Sequence, residues 1–374
     1  MTVRPNPVRK SSVALLVVGV LLIAVAAAIR FLILPSLTKL PDDLSQAQRY
    51  EGTLQALDPQ AFQSGDLANL LTPEMPITAD RSLTVDAVDG DTAIVTSAAV
   101  LSLPDGSKQN DVHTYAVSRS DYSPVDLTDE QRATLIPEEK KASFEPHEGL
   151  AFSWPMNPPT DGTALYDSVT QTAQPAEFVE TSSLEGRDVA NYRIDASGPI
   201  LSPTVLQQFA QFPAQLPTPL LAGLLQAGLV PDDSRAALEA ALPTLPPTID
   251  IGFGSSNAID AAVDQRFGAP VSVDQLQQMY VTVPVAGQDL PVLPLSTVAL
   301  HTAPDEIVAS ADTLTSNQRL LDLLGLWLPL VLTVVGIALI VFGSLRLRRP
   351  NDERGARRTG QDARDDHTPS SVRP

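Results

Sequence analysis

The chain of 374 residues contains no cysteine. That removes disulfides, cysteine-ligated metal, iron–sulfur clusters and thiol nucleophiles. Basic residues are scarce, 25 against 44 acidic, for a formal net charge of −19. So acidic a chain is a poor match for nucleic acid, and none is expected as a partner. Histidine is scarcer still: His113, His147, His301 and His367 are the full set. No two are four residues apart and none belongs to an H-E-x-x-H pattern, which excludes a zinc protease of that type. There is no P-loop and no G-x-G-x-x-G. GFGSSN, Gly252 to Asn257, lacks the spacing of a nucleophile elbow and reads as a glycine-rich turn. Asp89-Gly90-Asp91 lacks the ligand series of a calcium loop and reads as a solvated hairpin turn. No catalytic residue, metal site or cofactor is expected.

Long apolar runs and prolines are what the chain does have. Val13 to Ile29 is unbroken, and FLIL carries it to Leu34 after Arg30. About 20 apolar residues span a bilayer at 1.5 Å rise each. A cleaved signal peptide is the competing reading, but AVAAAI runs on into RFLILP with no polar mature start, which favours an uncleaved anchor. A second run, Leu323 to Leu345, holds no charge and has Trp327 near one end, where an indole prefers the interface. Arg4, Arg9 and Lys10 precede the first run, and Arg346, Arg348 and Arg349 follow the second. These six set the expected topology by the bias of basic residues to the cytoplasmic side. The expectation is a two-pass plasma-membrane protein. Residues 1–12 are cytoplasmic, 13–34 and 323–345 cross, 35–318 are extracytoplasmic, and 346–374 form a disordered basic tail. Residues 35–318 hold 12 basic against 38 acidic residues, a net charge of −26.

The 33 prolines suit a loop-rich β domain better than a helical bundle. Ser82 to Arg119 reads as a three-stranded antiparallel meander, with Asp89-Gly90 and Asp105-Gly106 as its turns. Asp126 to Ala142 reads as a surface helix or loop. A second β region starts at His147 and includes a hairpin joined at Glu185 to Asp188. Pro231 to Leu242 has a helix start signal, with acid in its first turn. From Thr248 the pattern is β again, and residues 306–322 lead back to the second apolar run. The expected fold class is two transmembrane helices flanking a large extracytoplasmic α+β domain, mainly antiparallel β, with a helical apical insertion at 201–242.

Four features resemble the actinobacterial PorA family, a two-pass group long filed as a domain of unknown function. They are the anchor ending RFLILPSLTKLP, the segment HTYAVSRSDYSPVD, the stretch HEGLAFSWPM followed by LYDSVTQTAQPAEFVETSSLEGRDVANYRI, and a C-terminal helix running into the second span. The family's tryptophan and acid-proline pair are missing from VDQRFGAPVSVDQLQQMYV, so the chain resembles a divergent member. The resemblance implies an envelope-biogenesis factor of a mycolate-bearing actinobacterium, linked to lipoglycan maturation or trehalose-mycolate export. An MmpL-type lipid exporter and lipoglycan glycosyltransferases are the protein partners it implies. His147-Glu148 is motif-like in the family and reads as a buried hydrogen-bonded pair. The layout also resembles class B scavenger receptors at the level of fold alone.

From Ala196 to Pro231 the chain carries no charge. Pro213, Pro217 and Pro219 break it too often for a third span. Two readings remain open: short apolar helices covering the β domain, or a membrane-distal apex contacting acyl chains. Phe209, Phe212, Leu220, Leu221, Leu224, Leu225 and Leu229 are the candidate lipid contacts. Membrane lipid and an envelope glycolipid are the expected ligands. The expected function is a non-enzymatic, membrane-anchored factor that binds or hands on such a lipid. A structural tether, or a hydrolase or transferase acting on envelope glycolipid, is the alternative.

Overall fold

The computed structural model describes residues 7–348, so Arg4, Arg349 and the rest of the tail read as disordered lie outside the described residues. In chain order the helices are α1 (Pro7–Ala28), α2 (Leu34–Leu37), α3 (Pro59–Ser64), α4 (Asp129–Leu135), α5 (Pro203–Gln208), α6 (Thr218–Gln226), α7 (Asp232–Ala241), α8 (Pro304–Asp322) and α9 (Leu328–Arg348). The strands are β1 (Ser45–Ala56), β2 (Met75–Asp89), β3 (Thr92–Ser102), β4 (Lys108–Ser118), β5 (Ala164–Asp167), β6 (Thr172–Leu184), β7 (Arg187–Pro199), β8 (Gln215–Pro217), β9 (Thr248–Asp250), β10 (Gly252–Asp264), β11 (Pro270–Val285) and β12 (Gln288–Thr302). The chain forms two compact units, one from its two ends (up to Pro35 and from Leu320) and one from Ser36–Arg319.

In the first unit α1 packs against α9. Ser11–Leu37 and Pro304–Arg348 are long and apolar enough to cross a membrane. The backbones touch at glycines: a Cβ on Gly19 would fall 2.6 Å from the Gly336 carbonyl oxygen, and one on Gly336 2.7 Å from that of Gly19. Apolar helices in hydrocarbon have no hydrophobic drive to associate, so close backbone approach through small residues supplies the van der Waals contact instead. Each helix carries one π-helical turn, at Ile29–Ile33 and Leu323–Trp327. There Arg30 Nη1 donates to the Gly325 carbonyl at 3.4 Å.

The second unit is built on one antiparallel sheet of ten strands in the order β4-β3-β2-β1-β12-β11-β10-β7-β6-β5, curled as a half-barrel. The period-2 pattern sets its faces. In β7, Tyr192, Ile194 and Ala196 are buried while Arg193, Asp195 and Ser197 are exposed. The meander forms as β2, β3 and β4, turning at Gly90 and Gly106. The second hairpin turns on Glu185 and Gly186 alone, both at positive φ, so Arg187 and Asp188 already belong to β7. GFGSSN corrects the turn reading: it is the start of β10, where Gly254 leaves room for the Tyr280 ring, 2.4 Å from where a Cβ would be. The two β regions join because β1 pairs with β12, bringing residues 50 and 302 together.

The insertion between β7 and β10 contains α5, α6 and α7, and also β8, which pairs with β9. Proline stands at the first turns of α5 and α6, where its missing N–H costs nothing. Leu221, Leu224 and Leu238 are packed against Val283, Val292 and Leu293 of the β11–β12 hairpin. This caps the end of the sheet opposite Ser45 and Thr302, where the chain enters and leaves.

The free edges of the sheet are β4 and β5. The segment 144–150 reaches from one to the other. Glu145 N donates to Thr114 O at 3.1 Å on β4, while Leu150 N donates to Ala164 O and Tyr166 N to Leu150 O, each at 2.8 Å, on β5. Gly149 makes that approach practicable. Its φ is +73°, and a Cβ would lie 2.6 Å from the Ala164 carbonyl oxygen. Gly90 has φ +60° in open space. Gly90→Ala should therefore cost only the left-handed penalty of about 1–2 kcal/mol. Gly149→Ala should cost clearly more, because the bridge between the edges must shift. Thermal melting of the full chain in detergent compares the two; equal losses would refute the closure.

Candidate functional site

The two segments that carry the family resemblance meet at this bridge. His113 and Tyr115 point from β4, Tyr166 comes from β5, and Glu145 and His147 lie on the bridging segment. Tyr115 and His147 have ring centroids 4.9 Å apart, His147 and Tyr166 5.7 Å, and Tyr115 and Tyr166 6.1 Å. Glu145 joins both edges: Oε1 bonds to His113 Nδ1, and Oε2 accepts from the Tyr166 hydroxyl at 3.0 Å. His113 Nε2 lies 2.8 Å from Asp111 Oδ1. On the opposite face of β4, hydroxyls form a chain, with Thr114 Oγ1 3.1 Å from Thr96 Oγ1 and 2.9 Å from Ser143 Oγ.

The two histidines are tuned in opposite directions. Burial alone would lower the His113 pKa, but hydrogen bonds to Asp111 and Glu145 outweigh it and push it up to about 9. His113 is thus an imidazolium held between two carboxylates. Burial lowers His147 to about 4 against the opposing pull of Glu145, so its ring is neutral. The Tyr115 and Tyr166 phenols are pushed up, first by burial and then by the Glu145 charge. The arrangement links one edge of the sheet to the other through a part-buried charge network. His147 Nε2 is buried there with no hydrogen-bond partner among the described residues.

The pairing read from the sequence as His147 with Glu148 is corrected here. Glu148 is exposed, and the carboxylate at the cluster is Glu145, three positions earlier. Asp91 is held by Lys39 Nζ at 2.6 Å and by the Ser118 and Ser120 hydroxyls, which together lower its pKa and fix the turn. Asp167, at the end of β5, accepts from Val169 N, Thr170 N, Thr170 Oγ1 and Asn257 Nδ2 at 2.8–3.1 Å.

The seven apolar candidates of the insertion divide. Leu221, Leu224 and Leu225 are core residues, at 0%, 1% and 7% exposure. They lie on the face of α6 turned to the sheet, so contact with a ligand there would require the core to open. Phe209, Phe212, Leu220 and Leu229 are half-buried against the same cluster. Phe209 stacks on Phe253 at 5.1 Å, and Phe212 meets Phe62 at 5.5 Å. Phe62 and Phe253 were not legible as partners, since one sits in the β1–β2 connection and the other in the segment read as a turn. Of the topology residues, Arg346 and Arg348 are exposed at the end of α9, and Arg9 and Lys10 fall in the first turn of α1.

The histidine pair predicts a two-sided pH profile. The stability from His113 is complete below about pH 6.5 and is lost as pH rises towards 9. His147 acts in the opposite sense: the unfolded chain takes up its proton first, so stability is lost as pH falls from about 6.5 towards 4. Melting of the full chain across this range should show His113→Gln flattening the alkaline limb and His147→Phe shallowing the acid limb. Profiles parallel to wild type in both variants would contradict the assignment.

Comparison with known proteins gives a strong family match and only slight structural likeness. The family model described as porin PorA matches residues 11–345. No curated protein matches the chain. A crystal structure described as an oleoyl thioesterase from Lactobacillus plantarum aligns over 70% of this chain and 78% of its own at 9% identity, with a TM-score of 0.13, too slight a likeness to carry any argument. The match over nearly the whole described length, with the family's own segments meeting at one bridge, shows that the chain belongs to the PorA family.

Proposed function

We propose that the protein is a membrane-anchored, non-enzymatic factor of the cell envelope that binds or hands on an envelope lipid or glycolipid. One observation carries the reading. The chain carries no charge from Ala196 to Pro231, and in the insertion that follows β7 it exposes leucine beside uncharged Gln207, Gln208 and Gln211. Four half-buried phenylalanines (Phe62, Phe209, Phe212 and Phe253) are in ring contact there, and Leu201 and Leu206 are 48% and 36% exposed. Contiguous apolar surface on a soluble domain marks a site of interaction. Acyl chains are recognised by area, at about 25 cal/mol per Å² removed from water, and need no polar motif.

The outer face of the sheet favours this reading over a pore. Glu177, Arg193, Asp260, Asp274, His301 and Glu51 are successive cross-strand neighbours over six strands. A barrel in lipid presents an apolar band instead. The sheet is therefore suited to water, with the two apolar helices as its anchors. The non-enzymatic part of the proposal rests on Glu145, whose two oxygens are taken up by His113 and Tyr166. A mycolate-bearing host, an MmpL-type exporter or glycosyltransferases as partners, and cytoplasmic termini belong to the same proposal.

Two experiments test it. Leu201→Asp combined with Leu206→Asp should remove co-purifying lipid, measured by mass spectrometry, while the melting temperature stays nearly unchanged. Leu224→Asp should instead unfold the domain, since it puts an unpaired carboxylate into the core at a cost of at least about 3 kcal/mol. Lipid retained by the double variant would leave the tether as the better reading. For topology, reporters fused after residue 348 should be active only if cytoplasmic, and reporters within 36–319 only if exported; activity in the reverse sense would overturn the two-pass arrangement.

A further inference from the structure

β6 runs for 13 residues, but β5 pairs only with its start, Thr172 to Pro175. Ala176 N still donates to Thr163 O at 2.9 Å. From Glu177 to Leu184 the strand has β7 on one side and no backbone partner among the described residues on the other. Residues 179–183 are all exposed, Val179 at 56%. Edges of this length are ordinarily blunted by lysine, proline or a covering segment. β4 has such a cover at Thr114 and Val117. Glu177–Leu184 contains neither lysine nor proline, and one bulge, at Val179, interrupts it. Such an edge is a template for an added strand, in which main-chain hydrogen bonds give affinity and alternate side chains give specificity.

The edge selects a charge. Glu177 stands opposite Arg193 and Glu180 opposite Asn191, so β7 spans the two glutamates with residues two apart. The bulge takes up the extra position, and both carboxylates fall on the outer face of the sheet. Neither is in an ion pair among the described residues. Arg193, the cation across from Glu177, is already bonded to both oxygens of Asp260, at 2.9 and 3.1 Å. Arg187 is buried on Asp264. Glu185 and Asp188 continue the same sign around the turn. A strand laid along this edge meets two carboxylates at alternate positions of one face, and Phe178 and Thr181 on the other. Opposite charges across a strand pair are favourable and like charges are not. A second copy of the chain would bring the same acidic edge, which disfavours self-pairing.

We propose that Glu177–Leu184 is a docking edge for an extended segment of another protein, which carries basic residues at two alternate positions and adds to the sheet as a strand beside β6. The edge shares no residue with the apolar surface of the insertion or with the closure at Glu145.

The test uses the full chain in a non-ionic detergent, at one fixed salt concentration, with three labelled peptides. The first is Thr-Val-Lys-Val-Arg-Val-Thr. The second is the same sequence N-methylated throughout, and the third has glutamate in place of its lysine and arginine. Fluorescence anisotropy reads binding. The basic peptide should bind and the acidic one should not. N-methylation keeps the charge and removes the backbone donors, so it should weaken binding by at least about tenfold. Glu177→Lys combined with Glu180→Lys should lose the basic peptide and gain the acidic one, with the melting temperature unchanged because both side chains are exposed. The chain has no cysteine, so Ser182→Cys provides a single attachment point. It should form a disulfide with a basic peptide carrying one cysteine. Equal binding of the methylated and unmodified peptides would reduce the contact to charge alone and overturn strand addition. The proposal also fails if the basic peptide does not bind, if charge reversal leaves the preference as it was, or if Ser182→Cys links two copies of the chain and excludes the peptide.

Discussion

A curved sheet with two open edges must dispose of the unpaired backbone groups along them, and the rest of the large unit depends on how that is done. Here the edges are β4 and β5, the strands farthest apart in the sheet order. Pairing them directly would close a barrel. Instead the segment 144–150 lies between them and bonds to both. It is too irregular to be a strand, so side chains reinforce it. Glu145 holds His113 of one edge and Tyr166 of the other, and His147 fills the space between the two tyrosines. Gly149 follows from the same constraint, because the segment turns sharply where the Ala164 carbonyl leaves no room for a Cβ. The family's histidine and EGL segments are thus accounted for as parts of one closure.

A second buried charge pair ties the chain's return path to the sheet. Arg187 begins β7 and pairs with Asp264 at the end of β10 at 2.7 Å, both nearly inaccessible. Asp264 also accepts from Arg266 N and Phe267 N, and Arg187 Nη1 donates to Gln318 of α8 at 2.5 Å. A buried pair satisfied on every side costs little; stripped of one partner it becomes an uncompensated charge. This fixes α8 at the end of the sheet. The other end is closed by the insertion, whose core is hydrocarbon and needs no such pairs.

The sequence by itself determined the two membrane-length helices, the meander of β2 to β4, the hairpin of β6 and β7, and the helix at Asp232–Ala241. Each rests on local physics: apolar length, alternation, turn glycines and acid at a helix start. Whether the charge-free stretch was core or surface could not be read, because both call for leucine and phenylalanine without charge. Only tertiary structure decided it, by turning Leu221, Leu224 and Leu225 to the sheet and leaving Leu201 and Leu206 outside. The same holds for the closure. His113, Glu145 and Tyr166 span 53 positions with no periodicity linking them, and their meeting depends on the curvature of ten strands. That curvature is a property of the whole sheet, summed over every strand pair, and no short segment carries it.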